Sequence, residues 1–374
     1  MDNQLPNGSP VPPVIVTPAP AWSRPVRPRK PYGWMVLSLV LAVLLFWSLF
    51  GHVPRFFNFS SVAKQTGRQT GRQLHELVVE NNGSQNRIAI VDVAGLITSE
   101  AWDRSGRSMV DFIADQFEMA ARDDSIKAVV LKVDSPGGEV MASDDIARSI
   151  SDFEKETGKP VVASMGSLAA SGGYYVSVPC EWIVANELTI TGSIGVIIQT
   201  FNYRGLLDKV GVFPLVFKSG KFKDMLRGSK KPDEMLPEAE KMIQDMVNET
   251  YGKFKDVVRD GRGKSYKKNK GEGKALAKDW EQYADGRIFT GKQALDLGFV
   301  DEIGNFNTAV DRAKNLAGIA DANLIRYQEA FDFSRLFGLL GSSDSSTKVK
   351  IDLGLDLPKL KAGRPYFLSE TVIH

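Results

Sequence analysis

Nineteen consecutive residues from Tyr32 to Phe50, YGWMVLSLVLAVLLFWSLF, carry no charge. A helix of this length, rising 1.5 Å per residue, crosses a hydrocarbon core of roughly 30 Å, whereas buried helices of soluble cores rarely lack polar residues for so long. The run predicts an N-terminal transmembrane helix, which divides the chain between the two sides of a membrane. Arg24, Arg27, Arg29 and Lys30 precede it, and Arg55 is the only Lys or Arg in the ten residues that follow. The positive-inside tendency then places the N-terminus in the cytoplasm and the bulk of the chain outside the cell (inner) membrane. A cleaved signal peptide fits less well, because FGHVPRFF after the run offers no small-residue cleavage site.

The remainder divides by composition. Residues 1–31 hold nine of the eighteen prolines and no hydrophobic period, which reads as a disordered arm. Residues 51–86, with the echo QTGRQTGRQ and the polar ENNGSQN, read as a linker. From Arg87 the pattern alternates. RIAIVDVAGLI, IKAVVLKV, PVVASM and WIVAN read as buried strands, and Val110, Ile113, Phe117 and Ala120, then Ile146, Ile150 and Phe153, mark helical faces. This is an α/β domain over residues 87–320. GVFPLVFKSG reads as extended and Leu236 to Val258 as a long amphipathic helix. Eight Lys or Arg among glycines between Arg259 and Lys278 read as a solvated loop, and residues 321–374 remain an unassigned tail.

Several chemistries are excluded early. The 47 basic and 45 acidic side chains nearly cancel, so net charge does not call for a nucleic-acid partner. Cys180, the one cysteine, precludes an intramolecular disulfide and reads as a small core residue. His52, His75 and His374 all fall outside residues 87–320, which disfavours both a Ser-His-Asp enzyme and a histidine-rich metal centre. Neither a metal nor a cofactor is expected.

Two glycine-rich turns each follow an apolar strand, VDSPGGEV at Val133–Val140 and SLAASGGYYV at Ser167–Val176. Turns of this kind expose backbone N–H groups, and two side by side can hold an oxyanion. Ser171 stands in the second turn between Ala170 and Gly172, with small neighbours that leave room for a carbonyl. Without histidine its base must be a lysine or a carboxylate, and a lysine serves only where its surroundings favour the neutral amine. FPLVFKSGKFKDML supplies Lys218, Lys221 and Lys223, which pattern alone does not separate.

Taken in order, SPGG, AASGGYY, TITGSIGV, KSGKFKD and ADGRIFTGKQALDLGFVDEIG resemble the signal peptide peptidase A family of serine-lysine proteases in its single-domain form, over roughly Arg87 to Ala317. The resemblance implies the crotonase-like α/β fold, a ββα superhelix shared with the Clp protease proteolytic subunit. It also implies membrane-bound cleavage of remnant signal peptides and other hydrophobic peptides, and assembly into a homo-oligomeric ring. The family's nucleophile falls on Ser171 and its base on Lys223, 52 residues later. Its oxyanion donors fall on Gly138 and Gly172, and the serine that aims the catalytic amine falls on Ser193. Two rivals stand beside this reading: an acyl-CoA enzyme on the same fold, which needs no serine, and a catalytically silent membrane scaffold.

Overall fold

The computed structural model describes residues 74–101, 106–329 and 365–368, with Ser38, Val40 and Leu41. Among the described residues no helix is long and apolar enough to cross a membrane. The predicted arm and nearly all of the predicted span lie outside them; Ser38, Val40 and Leu41 are helical.

In chain order the elements are β1 (Leu74–Glu80), β2 (Arg87–Ala94), α1 (Met109–Arg122), β3 (Ile126–Ser135), β4 (Gly137–Glu139), α2 (Val140–Thr157), β5 (Val161–Ala170), α3 (Gly172–Ser177), β6 (Trp182–Ala185) and β7 (Ile190–Gly192). There follow α4 (Arg204–Lys209), α5 (Pro237–Lys268), β8 (Ile288–Thr290), α6 (Gly291–Asp296), β9 (Glu302–Ile303), α7 (Phe306–Leu316), β10 (Asn323–Glu329) and β11 (Tyr366–Leu368). The main sheet runs β1-β10-β2-β3-β5-β6-β9, with β7 on β5 and β8 on β7. Its central members are parallel: β2 with β3, β3 with β5 and β5 with β6. A parallel sheet covered on both faces needs strands apolar throughout, which is why β2 and β3 are buried along most of their length. One face packs Ile113, Phe117, Ile146 and Ile150 of α1 and α2. The other packs Ala309, Val310 and Ala313 of α7 against Ile88, Val130 and Val162.

Four expectations change. Part of the predicted polar linker, Leu74–Glu80, is a strand antiparallel to β10. Only Leu74 in it is buried, so an edge strand of this kind leaves no hydrophobic period to read. The unassigned tail supplies β10, which lies between β1 and β2, and β11, which pairs with β4. The basic stretch is not a loop at its start: α5 continues to Lys268, because Arg262 and Ser265 are drawn into the interior. GVFPLVFKSG forms no strand, and Phe213, Leu215 and Phe217 are exposed.

Candidate active site

Parallel pairing sets the two glycine turns together. Ser135 at the end of β3 pairs with Ala169 at the end of β5, so both turns leave the same end of neighbouring strands. The Ser135 hydroxyl accepts from the Gly137 N–H at 3.1 Å and donates to the Gly95 carbonyl at 2.7 Å, which braces the first turn. On the other side Ala170 pairs with Gly192 of β7, and the Ser171 N–H donates to the Gly192 carbonyl at 2.8 Å. Ser193, the next residue, is therefore held beside Ser171, with its own N–H on the Arg287 carbonyl at 2.8 Å.

Ser171 takes φ 54° and ψ −117°, a conformation side chains other than glycine avoid. The Tyr175 N–H donating to its carbonyl, together with the β7 contact, holds it there. Its side chain is fully buried, and its Oγ has no hydrogen-bond partner among the described residues. A buried hydroxyl left unpaired costs free energy, and such groups concentrate where a ligand completes the bonding.

The structure thus brings together Ser171, Gly172, Gly138 and Ser193, and no hydrogen bond links Lys223 to Ser171 among the described residues. Lys223 is exposed. Of its neighbours, Lys218 pairs with Asp224 at 2.8 Å and Lys221 with Glu238 at 3.4 Å. Asp224 also meets Lys230 at 3.4 Å, and the hydrogen bond from Lys218 is the largest of the contacts that hold its carboxyl below the usual range.

Sequence reading missed an aromatic pocket beside the turns. Phe367 of β11 is fully buried, with its ring centroid 4.9 Å from that of Tyr175 and 4.6 Å from that of Phe254. The Tyr175 hydroxyl donates to Asp144 at 2.6 Å. The paired tyrosines after the second turn were a signal; nothing in the tail pointed to Phe367. Cys180 is a core residue as expected, its thiol pushed well up by burial. His75 lies in β1, at the outer edge of the sheet and well away from β5.

A strained, buried serine in the second of two adjacent glycine turns, at the ends of parallel strands, defines an α/β protein arranged for serine chemistry. The model of peptidase family S49 matches residues 153–320, which include Ser171, Ser193 and Lys223. A putative signal peptide peptidase SppA of Enterococcus faecium is 36% identical over 260 residues, covering 68% of this chain and 71% of the relative. A putative protease of Synechocystis is 39% identical over 229 residues, 61% of this chain and 76% of its own length. Protease 4 of Haemophilus influenzae is 34% identical over 239 residues, 64% of this chain but 36% of that longer protein. The chain belongs to the signal peptide peptidase A family, peptidase family S49, and its sheet fits that family's crotonase-like α/β fold. By that membership it is a serine-type peptidase.

Proposed function

We propose that the protein is a membrane-anchored endopeptidase that cleaves remnant signal peptides and other hydrophobic peptides through Ser171 and Lys223. The observation that carries this reading is the Ser171 Oγ, buried and without a partner among the described residues, beside the two turns. Ser171 attacks the carbonyl carbon; Lys223 takes the hydroxyl proton and returns it to the leaving amine. The N–H groups of Gly138 and Gly172 stabilise the oxyanion, a contribution of roughly 3 to 4 kcal/mol per donor. Ser193 hydrogen-bonds the amine and aims it.

No hydrogen bond joins Lys223 to Ser171 among the described residues, and the segment around Lys223 exposes Phe201, Phe213, Leu215 and Phe217, the last at 95%. Large side chains exposed in a group favour burial against a partner. This supports a homo-oligomeric ring in which a neighbouring copy covers the segment and completes the dyad. The apolar run at 32–50 anchors the chain in membrane lipid, with the N-terminus cytoplasmic and the domain extracytoplasmic.

Labelling of the full chain with a fluorophosphonate, with mass spectrometry of products from a synthetic signal peptide, tests the reading. It expects an adduct at Ser171 and internal cleavage, both lost in Ser171→Ala. Absence of any adduct favours a silent scaffold, and thioester turnover by Ser171→Ala favours an acyl-CoA enzyme.

A further inference from the structure

Between Lys218 and Lys230 the chain is built of turns rather than strands or helices. The Arg227 N–H donates to the Asp224 carbonyl at 3.1 Å and the Lys230 N–H to the Arg227 carbonyl at 3.2 Å, so two successive turns present Asp224, Arg227 and Lys230 together. The segment before α4 pins them. Asn202 Nδ2 donates to the Lys230 carbonyl at 3.1 Å, and the Tyr203 N–H donates to the Gly228 carbonyl at 2.8 Å. With Lys218, and with Val216 and Leu236 as apolar wall, these turns line a cavity of about 320 Å³.

The charge in this cavity is unbalanced. Lys218 meets Asp224 at 2.8 Å, Lys230 meets it at 3.4 Å and Arg227 at 3.8 Å, so one carboxylate faces three cations. Other ionic groups in the wall are engaged elsewhere: Lys221 pairs with Glu238 at 3.4 Å, and the Glu234 carboxylate accepts from the Lys231 N–H at 3.2 Å. The Lys230 side chain is only 8% exposed, and lysine is seldom buried so far without close pairing. Arg227 Nε and Nη1 are buried and have no hydrogen-bond partner among the described residues. Asp224 does not serve them, because 3.8 Å is beyond hydrogen-bond reach. A guanidinium does not shed its proton to escape burial, so these donors call for an anionic acceptor from outside the chain.

We propose that Lys218, Arg227 and Lys230 form a binding site for a phosphate group, free or as a monoester. A phosphate monoester carries about −1.5 to −2 charges at neutral pH, which matches the two positive charges that Asp224 leaves unanswered. A carboxylate or a lipid phosphodiester brings one. Tetrahedral oxygens also accept from the guanidinium and both ammonium groups at once, in charge-assisted hydrogen bonds. The site uses no atom of Ser171 and stands whether or not the peptidase reading does.

Isothermal titration calorimetry of the full-length chain with inorganic phosphate, at ionic strength held constant with chloride, tests the proposal. The expected result is one saturable site per chain, weakened at least tenfold in Arg227→Gln and in Lys218→Ala and unchanged in Lys155→Ala. Lys218 lies on an exposed turn, so its variant reads the site even where Arg227→Gln fails to fold. Phosphoserine binding as tightly as inorganic phosphate assigns the site to monoesters; binding at least tenfold weaker assigns it to the free ion. Absence of saturable binding, or binding that both variants leave unmoved, overturns the site. Acetate that binds as tightly as phosphate overturns the choice of ligand in favour of a carboxylate. Binding to phosphatidylglycerol vesicles without binding to phosphate overturns it in favour of a membrane surface.

Discussion

Arg262 and Asp301, 39 residues apart, form an ion pair in which neither side chain reaches solvent, with Nη2 and Oδ1 at 2.5 Å. Arg262 Nη1 also reaches Asp301 Oδ2 at 2.8 Å, and its Nε donates to the Gly298 carbonyl at 3.1 Å. Asp301 accepts in addition from the Ile183 N–H at 2.9 Å. The pair ties the end of α5 to β6 and to the start of β9. Arg262→Met should leave a buried carboxylate uncompensated and destabilise the fold by roughly 3 to 5 kcal/mol. Urea unfolding followed by circular dichroism measures this; a loss below about 1 kcal/mol contradicts the assigned role.

Glu154 gives stability a pH dependence. It is 5% exposed, and burial pushes its carboxyl up to about 7, although backbone N–H groups of Val161 and Glu181 donate to it at 2.9 and 3.0 Å. The folded chain then holds this proton where the unfolded chain has released it. Its contribution is fully present below about 4.5 and is lost as pH rises to about 7, by roughly 3 kcal/mol at most. Glu154→Gln retains an acceptor without the charge. Its melting temperature relative to wild type should therefore rise between pH 5 and pH 8, and a constant difference would refute the assignment.

Lys223→Ala should abolish peptide cleavage with the circular dichroism spectrum unchanged, and Lys223→Arg should not restore it, since guanidinium does not act as a base. Lys218→Ala and Lys221→Ala should keep most activity. If neighbouring copies complete each dyad, mixing Ser171→Ala with Lys223→Ala protein under exchange conditions should restore part of the activity. An inactive mixture whose subunits demonstrably exchange argues for a dyad closed within one chain.

Gly138 is not a clean probe of the oxyanion alone. A Cβ there would sit 1.9 Å from the Ile97 carbonyl oxygen. Gly138→Val should therefore lower both the melting temperature and the turnover rate. A fully active variant of unchanged stability would remove this turn from the mechanism.

The legible parts of the fold were the buried ones. β2, β3 and β5 read clearly because both faces of a central parallel strand are apolar, and α1 showed its inner face at helical spacing. Ser171 and the two turns were visible because glycine clusters after apolar strands are rare punctuation. β4 and β11 were not, because three residues carry no period and their partners are more than two hundred positions apart. The end of α5 was obscured by Gly261 and Gly263, whose helix-breaking tendency is overridden there by the buried ion pair. The place of Lys223 was beyond reach for a different reason: its segment forms no helix or strand that would fix it, and Phe213, Leu215 and Phe217 near it are exposed.

The order of strands also sets a timetable for synthesis. β1 borders only β10, so the strand nearest the proposed anchor finds its partner only after residues 323–329 have been made. At ordinary elongation rates of about 5 to 20 residues per second, that wait is roughly 10 to 50 s. During it β1 has no strand to pair with, while β2, β3 and β5 are free to assemble. The newborn chain thus acquires its protease core first and its edge strand last.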